Sequence, residues 1–250
     1  MTDRPHVLLR ASRLLSEAVK IEGETPPLLA NVYLHYVFDL WVQRWRKRRA
    51  RGDVVVVRFA DDFAAGFEHR TEAERFLVEL RERFAKFGLE LHPDKTRLIE
   101  FGRFADRDRR GRCQGKPETF DFLGFTHSCA KTRAGKFTVL RQTMRKRLRA
   151  KLKEVKAELR RRMHDPILEQ GAYLRSVLTG HFRYYGVPMN GPALSVFRLA
   201  IGWVWCRSLR RRSQRRRINW LRMRRLVSRL LPSPRICHPY PLVRLGVIRT

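Results

Sequence analysis

Two adjacent carboxylates, Asp61 and Asp62, lie between two apolar runs, and this pairing limits the fold more than any other stretch of the chain. Residues 54–57 are four successive valines, a β-branched run that predicts a buried strand. Residues 63–67, Phe-Ala-Ala-Gly-Phe, return after a gap that leaves room only for a tight reversal. The spacing therefore predicts a β-hairpin with both aspartates at its tip. Two like charges less than a strand width apart repel each other unless a cation sits between them, which makes the tip a candidate metal site. Aspartate is also a common turn residue, and at a solvated tip such a pair needs no ligand, so these residues alone leave both readings open.

The flanking segments predict helices and short strands. Apolar positions 29, 32, 33, 36, 37 and 40 follow helical spacing, and they are expected in the core. Thr71 followed by Glu74 reads as a capping box. The helix it would open carries Phe76, Leu77, Leu80, Phe84 and Phe87 on one face and stops at Gly88. Residues 89–96 read as a strand and turn that contain Lys95, and residues 120–125 as an aromatic strand running into Gly124. Residues 102–119 read as an exposed basic loop, and residues 7–18 as a short amphipathic helix of unassigned role.

Further on, Met144, Leu148, Leu152, Val155, Leu159 and Met163 recur every three or four residues on a segment otherwise rich in Lys and Arg. One side of that helix packs and the other is free for phosphate. A break at His164-Asp165-Pro166 is followed by residues 171–186 and by a second helical segment from Ala193 to about Arg210, then by the cluster Arg210-Arg211-Arg212-Ser213-Gln214-Arg215-Arg216-Arg217.

In order along the chain, Pro27-Leu28-Leu29, Phe59-Ala60-Asp61-Asp62, Leu89-Glu90-Leu91-His92-Pro93-Asp94-Lys95, Phe120-Asp121-Phe122-Leu123-Gly124-Phe125 and Leu231-Pro232-Ser233-Pro234-Arg235-Ile236-Cys237-His238-Pro239 resemble successive blocks of the bacterial group II intron-encoded reverse transcriptases and maturases. The resemblance implies an α+β fold: a partial reverse-transcriptase palm, with a β-hairpin and packed helices over residues 27–138, and a mostly α-helical thumb or maturase domain over residues 139–250, with residues 1–26 unassigned. It implies that Asp61 and Asp62 are catalytic and hold Mg²⁺, that Phe59, Lys95 and Gly124 contact nucleotide or primer, and that the partners are group II intron RNA and an RNA/DNA template-primer. Lys146, Arg147, Lys153, Arg183, Arg211, Arg212, Arg215 and Arg216 are the expected RNA contacts.

Charge supports a polyanionic partner. The chain carries 55 Lys and Arg against 24 Asp and Glu, a formal net charge of +31. Residues 1–140 hold 27 basic and 20 acidic side chains, whereas residues 141–250 hold 28 and 4, with no carboxylate side chain after Glu169. A stretch so one-sided repels itself without a counter-charge, which places the main RNA-binding surface in the C-terminal part. That part also carries Trp203, Trp205, Trp220 and long apolar patterns, which a disordered basic tail lacks.

Departures from the family pattern bear on activity. Two-ion nucleotidyl transfer needs more than two neighbouring carboxylates, and the family draws a further Asp from an earlier palm strand. Residues 1–26 offer only Asp3, Glu17, Glu22 and Glu24, and the template-contacting loop before Pro26 is missing. The expectation is a truncated or split reverse transcriptase/maturase, inactive alone unless a second chain supplies the fingers and first half of the palm. The alternative is a non-catalytic, maturase-like RNA-binding cofactor of splicing. The four cysteines lack Cys-x-x-Cys spacing, so free thiols are expected, and no apolar run reaches the roughly 20 residues of a spanning helix. A cytoplasmic ribonucleoprotein is the expected setting, with no membrane partner.

Overall fold

A computed structural model describes residues 7–11, 14–16, 27–212 and 218–240. The chain divides into two compact units, Met1–Phe122 with His127–Val139, and Leu123–Thr126 with Leu140–Thr250. The first is mixed helix and sheet, and the second is built mainly of helices.

In the first unit the elements run β1 (Val7–Ala11), β2 (Leu14–Ser16), α1 (Pro27–Leu34), a π-helical turn (His35–Asp39), α2 (Leu40–Arg48), β3 (Val54–Phe59), β4 (Asp62–Phe67), α3 (Arg70–Ala85), β5 (Leu89–Leu91) and β6 (Arg97–Glu100). Four strands form one sheet in the order β3-β4-β1-β6, every neighbouring pair antiparallel. The helices α1–α2 connect β1 to β3, and α3 connects β4 to β6, so two crossovers interleave in a split βαβ arrangement. β2 pairs separately with β5.

One face of the sheet is dry. Val7, Leu9, Val54, Phe63, Ala65 and Phe67 are buried against Val37, Phe38, Val42 and Trp45 of the first helical layer and Phe76, Leu80 and Phe84 of α3. Phe38 meets Phe63 at 4.6 Å between ring centres, and Trp45 stands edge-on to Phe76 at 5.0 Å. Each such side chain contributes roughly 1.5–3 kcal/mol by leaving water. The indole of Trp45 donates from Nε1 to Glu79 Oε2 at 2.8 Å, so its polar edge is matched.

Along β3 the other face is open, which corrects the sequence reading of a strand buried on both sides. Val54 is 4% exposed, but Val55, Val57 and Phe59 are 62%, 51% and 63% exposed. β3 lies at the sheet edge and only its alternate positions reach the core. The helix over residues 27–41 also shifts phase. Leu34, Val37 and Phe38 are buried, whereas Leu29, Val32, Tyr33 and Tyr36 are exposed. Apolar residues surround this segment on several sides, and the π-helical turn displaces the stripe, so spacing alone did not select the inward face.

Three further expectations change. Residues 7–11 and 14–16 are strands rather than one amphipathic helix, because alternating burial at Val7 and Leu9 satisfies a sheet whose two neighbours were waiting on either side. The capping box is not formed: α3 begins at Arg70, so Thr71 lies inside it, and Glu74 pairs with Arg70 at 2.8 Å. Residues 102–119 hold a short helix, α4 (Ala105–Gly111), and most arginines of this stretch are neutralised, Arg109 on Glu118, Arg110 on Asp106, Arg107 on Asp108 and Arg112 on Glu100. A three-stranded sheet follows in the order β7 (Phe120–Phe122), β8 (Phe125–Lys131), β9 (Phe137–Thr143).

The second unit packs α5 (Arg145–Arg161), α6 (Ile167–Tyr185), α7 (Gly191–Arg211) and α8 (Trp220–Leu230) around Val155, Leu159, Leu174, Leu178, Phe182, Phe197, Ile201, Trp205 and Met223. The stripe expected on α5 is the one that packs. α8 is an element the sequence reading passed over, although Met223, Leu226, Val227 and Leu230 mark its inner face. Its first turn is closed by Asn219, whose Oδ1 accepts from Arg222 N at 2.9 Å.

Candidate functional site

The aspartates lie where the hairpin turns. Phe59 and Asp62 close the ladder, leaving Ala60-Asp61 as a two-residue loop. Ala60 has φ 53°, a left-handed conformation that costs a residue with a Cβ. Asp61 is exposed and Asp62, the first residue of β4, is half-buried. Directly opposed residues share a face, so Phe59 and Asp62 lie on the open side of the sheet with Val55 and Val57.

Arg58 braces this tip. Its Nε and Nη2 donate to the two carboxylate oxygens of Asp39 at 2.8 and 2.7 Å. Its Nη1 donates to Asn31 Oδ1 at 3.0 Å and to the Ala60 carbonyl at 2.9 Å. The side-chain hydrogen bond to Asp39 holds the Arg58 pKa above its ordinary value. Asp39 is therefore engaged by a guanidinium. Sequence reasoning missed this brace, because nothing local links residues 19 apart in different elements.

β4 has a strand on each side. β3 is one, and β1 is the other, with Ala11 opposite Phe63 and Arg10 opposite Ala64. β1 reads Val-Leu-Leu-Arg-Ala. The strand that flanks the hairpin on the β4 side therefore carries no carboxylate. Among the described residues no group of three or more His, Cys, Asp or Glu is placed to hold a metal ion. Asp3, Glu17, Glu22 and Glu24 lie outside the described residues. Asp61 and Asp62 are two carboxylates, and two do not by themselves make a two-ion clamp.

Lys95 ends a 3₁₀ turn, Pro93–Lys95, just before β6. Arg97 pairs with Arg10, which pairs with Ala64, so Lys95 falls at the same end of the sheet as Asp62, two strands away. Gly124 lies in the second unit with φ 79°, beside Leu123 at φ 49°. A Cβ there would come within 2.9 Å of the Tyr185 hydroxyl. The glycine is thus already required by packing: Tyr184 donates from its hydroxyl to the Leu123 carbonyl at 2.9 Å, and Met144 N donates to the Gly124 carbonyl at 3.0 Å.

The expected RNA contacts are spread over the helices. Lys146, Arg147 and Lys153 are exposed on α5, Arg183 is exposed on α6 and Arg211 at the end of α7. Arg212 is half-buried and donates from Nη2 to the His164 carbonyl at 2.7 Å. Arg215 and Arg216 lie outside the described residues. Near the chain's end, Cys237 N and His238 N both donate to the Gly186 carbonyl, at 2.7 and 3.0 Å, which fastens residues 237 and 238 to the end of α6. No helix among the described residues is long and apolar enough to cross a membrane.

Residues 23–127 match the family model described as reverse transcriptase (RNA-dependent DNA polymerase). No curated protein matches the chain.

Proposed function

We propose that this chain is a maturase-like RNA-binding protein of the group II intron type, which stabilises folded intron RNA within a ribonucleoprotein and does not itself polymerise nucleotides. The observation that carries the reading is the contrast between the hairpin and the helices. The reverse-transcriptase-like hairpin is flanked by a strand without a carboxylate, whereas residues 141–250 combine 28 basic with 4 acidic side chains around a formed helical core. Phosphate contacts to such a surface release counterions and need no chemistry from the protein.

In this reading Lys146, Arg147, Lys153, Arg183 and Arg211 take backbone phosphates, Arg215 and Arg216 extend the same charge, and the apolar faces of α5 to α8 keep the cations at fixed spacing. A Mg²⁺ at Asp61 and Asp62 would supply charge neutralisation to a phosphate brought against the open face of the sheet. A second reading, templated DNA synthesis, is favoured by the aspartate pair at the tip of a hairpin inside the matched segment. In it Phe59 lies beside the nucleotide, Lys95 and Gly124 steady the primer, and the missing carboxylate comes from outside the described residues or from a second chain.

The test is binding of a group II intron RNA, compared with duplex DNA of equal length, across a salt series. The expected result is preference for the RNA with a steep fall in affinity as salt rises. Equal binding to both, or a flat salt response, would overturn the proposal.

A further inference from the structure

The second unit contains a groove whose charge no partner among the described residues answers. Lys156 and Arg160 stand one helical turn apart on α5, and Arg207 and Arg211 one turn apart on α7; the four rim a recess of about 110 Å³ floored by Leu159 and Val204. Ser208 donates from Oγ to the Leu159 carbonyl at 3.1 Å, and Arg212 reaches the His164 carbonyl, so the two helices run the same way and the cation rows face each other. All four cationic side chains are exposed, and among the described residues none has an ion pair or a side-chain hydrogen bond. The carboxylate nearest in sequence, Glu158, is engaged with Arg161 and Arg162.

Structure alone gives this arrangement little reason to exist. Like charges at (i, i+4) destabilise a helix, and two such pairs face each other here. The helix dipole favours cations in the last turn, which accounts for Arg160 and Arg211 but not for Lys156 and Arg207 a turn further in. We infer that this groove is a binding site for the sugar-phosphate backbone of one RNA strand, with consecutive phosphates against the two cation rows and the sugar over the aliphatic floor. Four residues of α-helix rise about 6 Å, a spacing of the order of that between neighbouring phosphates on a strand. A regular polyanion matches two regular rows, whereas an acidic peptide presents its carboxylates at irregular reach. The inference rests on the RNA-binding reading above and adds the place where the backbone is gripped. Of the four cations, only Arg211 was singled out by sequence; the other three are brought to it by the packing of α5 on α7.

The experiment measures affinity of the full chain for a structured RNA against salt concentration, for three forms. The first is unmodified, the second carries Lys156→Gln, Arg160→Gln, Arg207→Gln and Arg211→Gln, and the third is a charge-matched control with Arg44→Gln, Arg46→Gln, Lys47→Gln and Arg48→Gln on exposed α2 positions. The groove variant should lose on the order of 100-fold in affinity at low salt, and its slope of log affinity against log salt should flatten by about 3, while the control changes by less than 1. Replacing the three groove arginines by lysine should keep the slope and most of the affinity, which separates lost charge from lost folding. Equal flattening in the groove variant and the control would overturn the inference in favour of diffuse charge. Unchanged RNA affinity with lost binding to phosphatidylserine-containing vesicles would overturn it in favour of a lipid headgroup. Failure of the unmodified chain to bind RNA would instead remove the underlying reading.

Discussion

Ala60 is the one residue of the hairpin loop in a left-handed conformation, at φ 53°, and it stays there because Arg58 and the ladder on both sides fix the turn. Ala60→Gly should therefore stabilise the first unit by about 1 kcal/mol, read as a higher urea midpoint with an unchanged slope. No gain would mean that the turn relaxes at no cost. His181 makes the opposite kind of prediction. It is buried in the second unit against Phe197, with ring centres 3.9 Å apart, and against Tyr185 at 4.5 Å, and its Nε2 has no partner among the described residues. Burial, with a smaller push from the Lys151 charge, lowers its pKa from 6.5 to about 4. The unfolded chain then takes up the proton first, so the stability this group contributes is whole above about pH 6.5, declines as pH falls and is gone near pH 4. Allowing for partial solvation, the loss is roughly 2 kcal/mol. Thermal unfolding of His181→Phe between pH 4 and 7 should show a shallower pH dependence than the parent, and equal dependence would contradict the assignment.

Among the elements, the joint between α5 and α6 depends on one buried amide. Gln170 is wholly buried, and its Nε2 donates to the Arg162 carbonyl at 2.7 Å and the Asp165 carbonyl at 3.2 Å, while its Oε1 accepts from Trp205 Nε1 at 2.8 Å. Gln170→Leu would strand the Asp165 carbonyl and the indole of α7 and leave the Arg162 carbonyl only its bond from Asp165 N, at a cost of about 2–4 kcal/mol. A stability loss under 1 kcal/mol by chemical denaturation would show that water replaces the amide. At this scale the sequence was legible where apolar spacing was one-sided. The α5 stripe, the α3 face and the hairpin itself all follow from it. It was illegible where apolar residues surround a segment, as on α1, or where a partner lies far along the chain. No local signal announces that residues 7–11 insert between β4 and β6, and the brace from Arg58 to Asp39 is equally non-local. The same limit applies to the groove, since helix spacing identifies which cations share a face but not which face of another helix meets it.

For the whole molecule, the two units carry different parts of the account. Residues 23–127 match the reverse transcriptase family model, and the strand paired with β4 on the side away from β3 reads Val-Leu-Leu-Arg-Ala. The second unit concentrates uncompensated positive charge on a formed helical core. On the proposed reading the protein grips RNA and does not polymerise nucleotides. The most direct measurement is primer extension on an RNA template with Mg²⁺, run beside RNA binding on the same preparations, for the parent chain and for the Asp61→Ala, Asp62→Ala double variant. The account predicts no incorporation by either and equal RNA affinity for both. Incorporation by the parent that vanishes in the double variant would contradict it, because a third carboxylate would then have to reach the hairpin tip.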